Sequence, residues 1–164
     1  MIRVTIDTIR VSLVSPQRIV VLREEDGERF IPIWVGPNEA EALALSLRST
    51  VVPRPLTHDL LLNVIDQLGA TVEHILVSAL SQDIFYALIV LDRDGERIEI
   101  DARPSDAINL AVRANATIYV DESVLEEAGV VPEKSLDAPP PDEDDLEIYA
   151  DFIESLDLDS LGDE

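Results

Sequence analysis

The chain has 164 residues, 46% hydrophobic and only 4% aromatic, which fits one domain of ordinary size with a core of Val, Leu, Ile and Ala, and some chain left over. Its formal net charge is −22 and it has no cysteine. That excludes disulfides and thiolate metal ligands, fits a reducing cytoplasm, and leaves no basic surface of the usual nucleic-acid-binding kind. No apolar run approaches the ~18 residues that span a membrane, so no membrane association is expected.

The charge divides unevenly. Residues 1–133 carry 22 acids and 11 bases, a net −11; residues 134–164 carry 12 acids and one base, Lys134, another −11. The eleven bases of the first part are isolated arginines. Two regions are therefore expected: a domain over 1–133 and an acidic, Pro-containing, flexible tail over 134–164.

Met1–Asp7 has a strand pattern with an early charge, unlike a signal peptide. Along residues 2–14 the apolar positions run Ile2, Val4, Ile6, then switch parity to Ile9, Val11, Leu13, which predicts a bulge near Asp7-Thr8. Strands are expected over Arg18–Glu25 and Glu28–Val35, joined by a two-residue turn at Asp26-Gly27. Pro32 belongs at an edge or a bulge, because it cannot donate to a ladder. A helix follows over Glu39–Arg48, with Asn38 as a candidate cap.

The next helix is expected to start at Thr57 as N-cap, with Leu56 and Leu61 stapled across it, and to end at Gly69. Strands follow over Thr71–Leu80, Ile84–Leu91 and Glu96–Asp101, with a turn at Asp94-Gly95. His74 falls in a strand pattern and reads as a surface or edge residue. A helix capped by Ser105 continues to about Ala114, then a strand over Thr117–Val120 and a helix over Glu122–Ala128 ended by Gly129. In the tail, Ala138–Pro141 reads as a stiff spacer, and Leu146, Tyr149, Ile153 and Leu156 recur at helical spacing.

The fold class is thus α+β, with mostly antiparallel strands and packed helices. Asp26-Gly-Glu-Arg29 and Asp94-Gly-Glu-Arg97 are identical, and each lies within a βββα order of elements, which suggests an internal duplication. Such a duplication places Glu39 and Asp106 in equivalent first turns of two helices.

Chemistry concentrates at Asp101-Ala-Arg-Pro-Ser-Asp106. Two acids with Arg103 between them, beside a helix N-terminus, suit a divalent cation or an anion. They equally suit a capped helix with a structural Arg–Asp pair, the commoner outcome for this corner taken alone. Arg54-Pro55 before His58-Asp59 echoes Arg103-Pro104, and two arginines beside two helix N-termini suit a phosphodiester.

Several stretches together resemble the bifunctional nuclease domain family over roughly residues 3–130. They are Ile31-Pro-Ile-Trp-Val-Gly36 with Glu39-Ala-Glu41-Ala42, Arg54-Pro-Leu-Thr-His-Asp59-Leu-Leu61, Phe85-Tyr86-Ala87, Ile98-Glu-Ile-Asp101-Ala-Arg-Pro-Ser-Asp106-Ala107-Ile108, and Ile118-Tyr-Val120. The resemblance implies an α+β domain acting on DNA and RNA. Carried onto this chain, it makes His58, Asp59, Asp101 and Asp106 the catalytic candidates, and Arg54 and Arg103 the phosphate contacts. Glu39, Glu41, Asp101 and Asp106 are the candidate ligands for Mg²⁺ or Mn²⁺, which would activate water. His58 is the candidate general acid or base. Two alternatives stand beside this: a non-catalytic binding domain whose acids and arginines are structural, and a regulatory protein whose acidic tail engages a partner. A homo-oligomer, most simply a dimer, is expected because the apolar strand at Ile84–Leu91 needs cover on both faces.

Overall fold

The computed structural model describes residues 1–11 and 18–131. The end of the first expected strand and the whole acidic tail lie outside these residues. Seven strands and four helices follow one another as β1 (Ile2–Val11), β2 (Arg18–Glu24), β3 (Phe30–Val35), α1 (Pro37–Leu47), α2 (Thr57–Gln67), β4 (Thr71–Ser81), β5 (Ile84–Arg93), β6 (Glu96–Ala102), α3 (Pro104–Ala114), β7 (Thr117–Val120) and α4 (Glu122–Ala128).

The strands form one sheet in the order β3-β2-β1-β7-β4-β5-β6. Every pairing is antiparallel except β4 with β7. Each βββα block is a meander followed by its helix, and the two meanders radiate outward from β7. The α+β reading holds.

The parity switch in β1 is a bulge. The register shifts between Ile6 and Thr8, so that Ile6 lies opposite Leu22 and Ile9 opposite Val20. The extra residue keeps both halves of the apolar set on the core face. Pro32 does sit on an edge strand, β3, where its missing N–H costs no ladder bond.

The two identical turns differ. Asp94 and Gly95 have φ of 53° and 84°, and Arg93 pairs directly with Glu96. That is a two-residue turn with both central residues left-handed, where glycine is needed. The first copy is not such a turn. The Glu24 N–H donates to the Arg29 carbonyl, leaving a longer loop over 25–28, and Arg29 forks onto the Glu24 carboxylate at 2.7 and 2.8 Å. The four-residue identity therefore did not determine the turn; the ion pair across the loop base selects another one.

Three helix starts also lie elsewhere than expected. Gly36, Leu56 and Arg103 are the N-caps, so Asn38, Thr57 and Ser105 fall inside their helices. Pro37 and Pro104 take the first helical position, where a missing N–H costs nothing. On α2 a carboxylate supplies the cap: Asp59 Oδ2 accepts the Leu56 N–H at 2.8 Å. His74 is not at the surface. Paired to Val90 on β5 and Thr117 on β7, it is only 6% exposed, and its ring meets Tyr119 edge-on at 5.3 Å. The edge expectation failed because β7 crosses back to flank β4, a long-range pairing that local pattern does not encode.

α3 is the central helix. Ala107, Ile108, Leu110 and Ala111 are fully buried against β4 and β5, and α1 and α2 flank it. Its apolar face thus anchors three helix starts on one side of the sheet. α4 packs on both β3 and β4, four places apart in the sheet, so the sheet curls around it.

Candidate functional site

The starts of α1, α2 and α3 converge on one open cavity of about 710 Å³, lined by residues between 38 and 45 of α1, Pro55 to His58 before and in α2, and Arg103 and Asp106 of α3. At α1, Gly36 has no Cβ, and the Glu39 carboxylate folds back over the space one would fill. At α2, His58 is in the first turn and 7% exposed. At α3, Arg103 is the N-cap residue with its guanidinium out in solvent.

One chain of polar contacts links all three. His58 Nε2 and Asp106 Oδ1 are 2.9 Å apart. Arg103 donates from Nε to Asp106 Oδ2 at 2.7 Å and from Nη2 to Glu39 Oε1 at 2.9 Å. Its Nη1 makes no hydrogen bond among the described residues. Burial pushes the Asp106 carboxyl up, but the hydrogen bonds from Arg103 and His58 outweigh it and hold the group below the usual carboxylate range. The same two carboxylates push the Arg103 guanidinium up, Asp106 first and then Glu39. The remaining ring nitrogen of His58, Nδ1, is buried without a partner. The ring thus hydrogen-bonds only through Nε2, and with Asp106 ionised the proton lies on that nitrogen.

Beneath this lies a second network that the sequence reading missed. Arg113, whose side chain is only 7% exposed, donates from Nε to Asp59 Oδ1 at 2.6 Å, from Nη1 to the carbonyl and the side-chain oxygen of Asn109, and from Nη2 to the Ala42 carbonyl. Asn109 Nδ2 in turn donates to the Glu39 and Ser105 carbonyls, both at 2.9 Å. These bonds tie α1, α2 and α3 together just behind the cavity. A polar residue at 109 between Ile108 and Leu110 was the available signal; its partner at Glu39, 70 residues away in the chain, was not legible.

The structure therefore brings Glu39, Glu41, His58, Arg103 and Asp106 to one cavity. Asp59 turns away from it, into the network with Arg113. Asp101 does not line it: this residue is exposed on β6, opposite Leu88. Arg54 is exposed, does not line it, and makes no ion pair among the described residues, so the expected pair of arginines reduces to Arg103. Among the described residues no three His, Asp or Glu side chains converge to hold a metal ion. The Arg103 guanidinium occupies the place between Glu39 and Asp106 where a cation would go.

Asp59 and Asp106 both titrate below their usual values in the folded chain. Burial raises Asp59, but the Leu56 N–H and Arg113 lower it further. A depressed folded value means the stabilisation is complete above the unfolded pKa of about 4 and is lost as pH falls through the folded value. Thermal melting of the full chain should be flat from neutral pH to about pH 5 and fall below about pH 4. Asp106→Asn should lose less in acid than the parent; an equal loss would show that the acid response arises elsewhere.

The Bifunctional nuclease domain matches residues 20–133. The chain belongs to the bifunctional nuclease domain family. An uncharacterized protein of Mycobacterium tuberculosis is 38% identical over 156 residues, 93% of each chain. Bifunctional nuclease 2 of Oryza sativa subsp. japonica is 34% identical over 120 residues, 71% of this chain and 37% of that protein. Bifunctional nuclease 1 of Arabidopsis thaliana is 28% identical over 138 residues, 80% of this chain and 42% of that protein. The chain thus spans less than half the length of these plant relatives. No described helix is long and apolar enough to cross a membrane.

Proposed function

We propose that this bifunctional nuclease domain hydrolyses phosphodiesters of DNA and RNA at the cavity formed by the three helix starts. One observation carries the reading: the His58–Asp106 pair sits beside an exposed guanidinium with hydrogen-bonding capacity to spare. In this reading Arg103 Nη1 holds a non-bridging phosphate oxygen. Water attacks phosphorus and gives its proton to the Asp106–His58 pair. The P–O ester bond breaks, and the leaving oxygen takes a proton from the same pair. The protein would act in the cytoplasm, consistent with its lack of cysteine.

A second reading is favoured by charge. Glu39, Glu41 and Asp106 face one guanidinium across the cavity, an acidic balance that opposes a phosphate. Bound Mg²⁺ or Mn²⁺ would offset it and supply Lewis-acid activation. The side chains as they stand do not fit such an ion, because Arg103 already bridges two of its ligands. The deciding experiment is cleavage of single-stranded DNA and RNA by metal-depleted protein, with and without added Mg²⁺ or Mn²⁺. Cleavage in chelator supports the residue-only route, and cleavage only with added ion supports the second. No cleavage in any condition ends both, and leaves the acids and arginines of the site as structural groups of a binding domain.

A further inference from the structure

β6 ends the sheet, and among the described residues no strand pairs with its outer edge. An open edge of seven residues is a template for another strand. Charges usually blunt such an edge, and β6 carries four. Their order is what matters here. Directly opposite residues in an antiparallel pair lie on the same face, so a strand that meets its own copy must be centred on a residue. Centring on Glu99 uses the whole strand and sets Arg97 opposite Asp101 of the copy, twice by symmetry. On the other face it sets Ile98 opposite Ile100, again twice.

That other face is the core face, as the pairing of Ile100 with Ile89 shows. Ile89 is 5% exposed, whereas Ile100 is 41% exposed, because the sheet stops beside it. The one like-charged pair, Glu99 with its copy, is flanked by both Arg97 side chains; within one strand Arg97 Nε already lies 3.5 Å from Glu99 Oε1. Shifting the centre to Ile100 would oppose Glu99 with Asp101, and shifting it to Ile98 would oppose Glu96 with Ile100. Only the centre at Glu99 satisfies the isoleucines and the ion pairs together.

We propose that β6 is a homodimer interface, in which two copies pair antiparallel about Glu99 and continue both sheets into one across a twofold axis. This rests on the strand alone and is independent of the nuclease reading.

The test uses the full chain and two charge reversals, Arg97→Asp and Asp101→Arg. The parent should sediment as a dimer at micromolar concentration. Each variant alone opposes like charges at two symmetric positions and should dissociate at least about tenfold more readily. Mixed in equal amounts, the two should form a heterodimer. The aspartate introduced in one chain then meets the arginine introduced in the other, and the second symmetric position keeps the native pair of Arg97 with Asp101. Ile100→Lys, at a position already exposed, should be monomeric with its melting transition intact and serves if a charge reversal fails to fold. A monomeric parent, variants that dimerise alone as well as the parent does, or folded variants that stay monomeric when mixed would each overturn the proposal. A dimer that persists in Asp101→Arg while Arg97→Asp dissociates would place the centre at Ile98, pairing Arg97 with Glu99, and overturns it too.

Discussion

Replacing His58 with glutamine should lower cleavage of single-stranded DNA by about 10²–10⁴-fold, the usual contribution of a positioned acid–base group. Glutamine keeps an amide donor that reaches Asp106, so the bond at 2.9 Å is replaced rather than lost. What goes is the ability to carry a proton. Asp106→Asn should have the same effect by a different route: shape is preserved while the proton acceptor and the Arg103 ion pair go. Because Arg103 is 66% exposed, that pair contributes only about 0–1 kcal/mol. Melting temperature at neutral pH should therefore fall only slightly in Asp106→Asn, by the same small stabilisation that the variant no longer loses in acid, while rate falls by orders of magnitude. Rates and melting transitions measured on the same preparations decide the matter. Parent-like cleavage in both variants would remove the pair from the chemistry, and a large drop in melting temperature with cleavage intact would make it structural.

Arg113→Met should be the more damaging change to the fold. The guanidinium is nearly inaccessible and makes four hydrogen bonds spread over all three helices. Methionine fills much of the volume but leaves the Asp59 carboxylate without its partner and the Ala42 carbonyl without its donor. Breaking a buried pair in this way costs about 3–5 kcal/mol, and the 31% exposure of Asp59 points to the lower end. Urea unfolding of variant and parent measures it. A loss below about 1 kcal/mol would mean that apolar packing of α3 alone holds the helix starts in place. Cleavage should fall as well, since Asp59 caps the helix that presents His58.

Two adjacent polar residues of α2 serve different ends. His58 and Asp59 are adjacent, yet one faces the cavity and the other faces Arg113. Neighbouring residues on a helix point about 100° apart, so adjacency in sequence cannot place both in one site.

The sequence by itself determined what local physics can decide. Apolar runs and alternations bounded by turn residues marked all seven strands, and the parity switch at Asp7-Thr8 located the bulge. Proline and glycine punctuation placed the helices to within two residues. First-turn acids marked Glu39, Asp59 and Asp106, because a carboxylate suits a helix N-terminus wherever that helix lies. The family motifs marked the same corners. Tertiary structure decided everything that depends on distance through space. It buried His74 by bringing β7 between β1 and β4, set Asp101 and Arg54 outside the cavity that holds Arg103, and gave Asn109 and Arg113 partners in other helices. It also gave one four-residue turn two conformations: Glu24 and Arg29 pair across the base of the first, whereas their counterparts turn elsewhere, Asp92 to the Gly95 N–H and Arg97 to Glu99. A propensity is a property of a few consecutive residues, whereas a site is a meeting of side chains whose separation along the chain costs little once the core has formed.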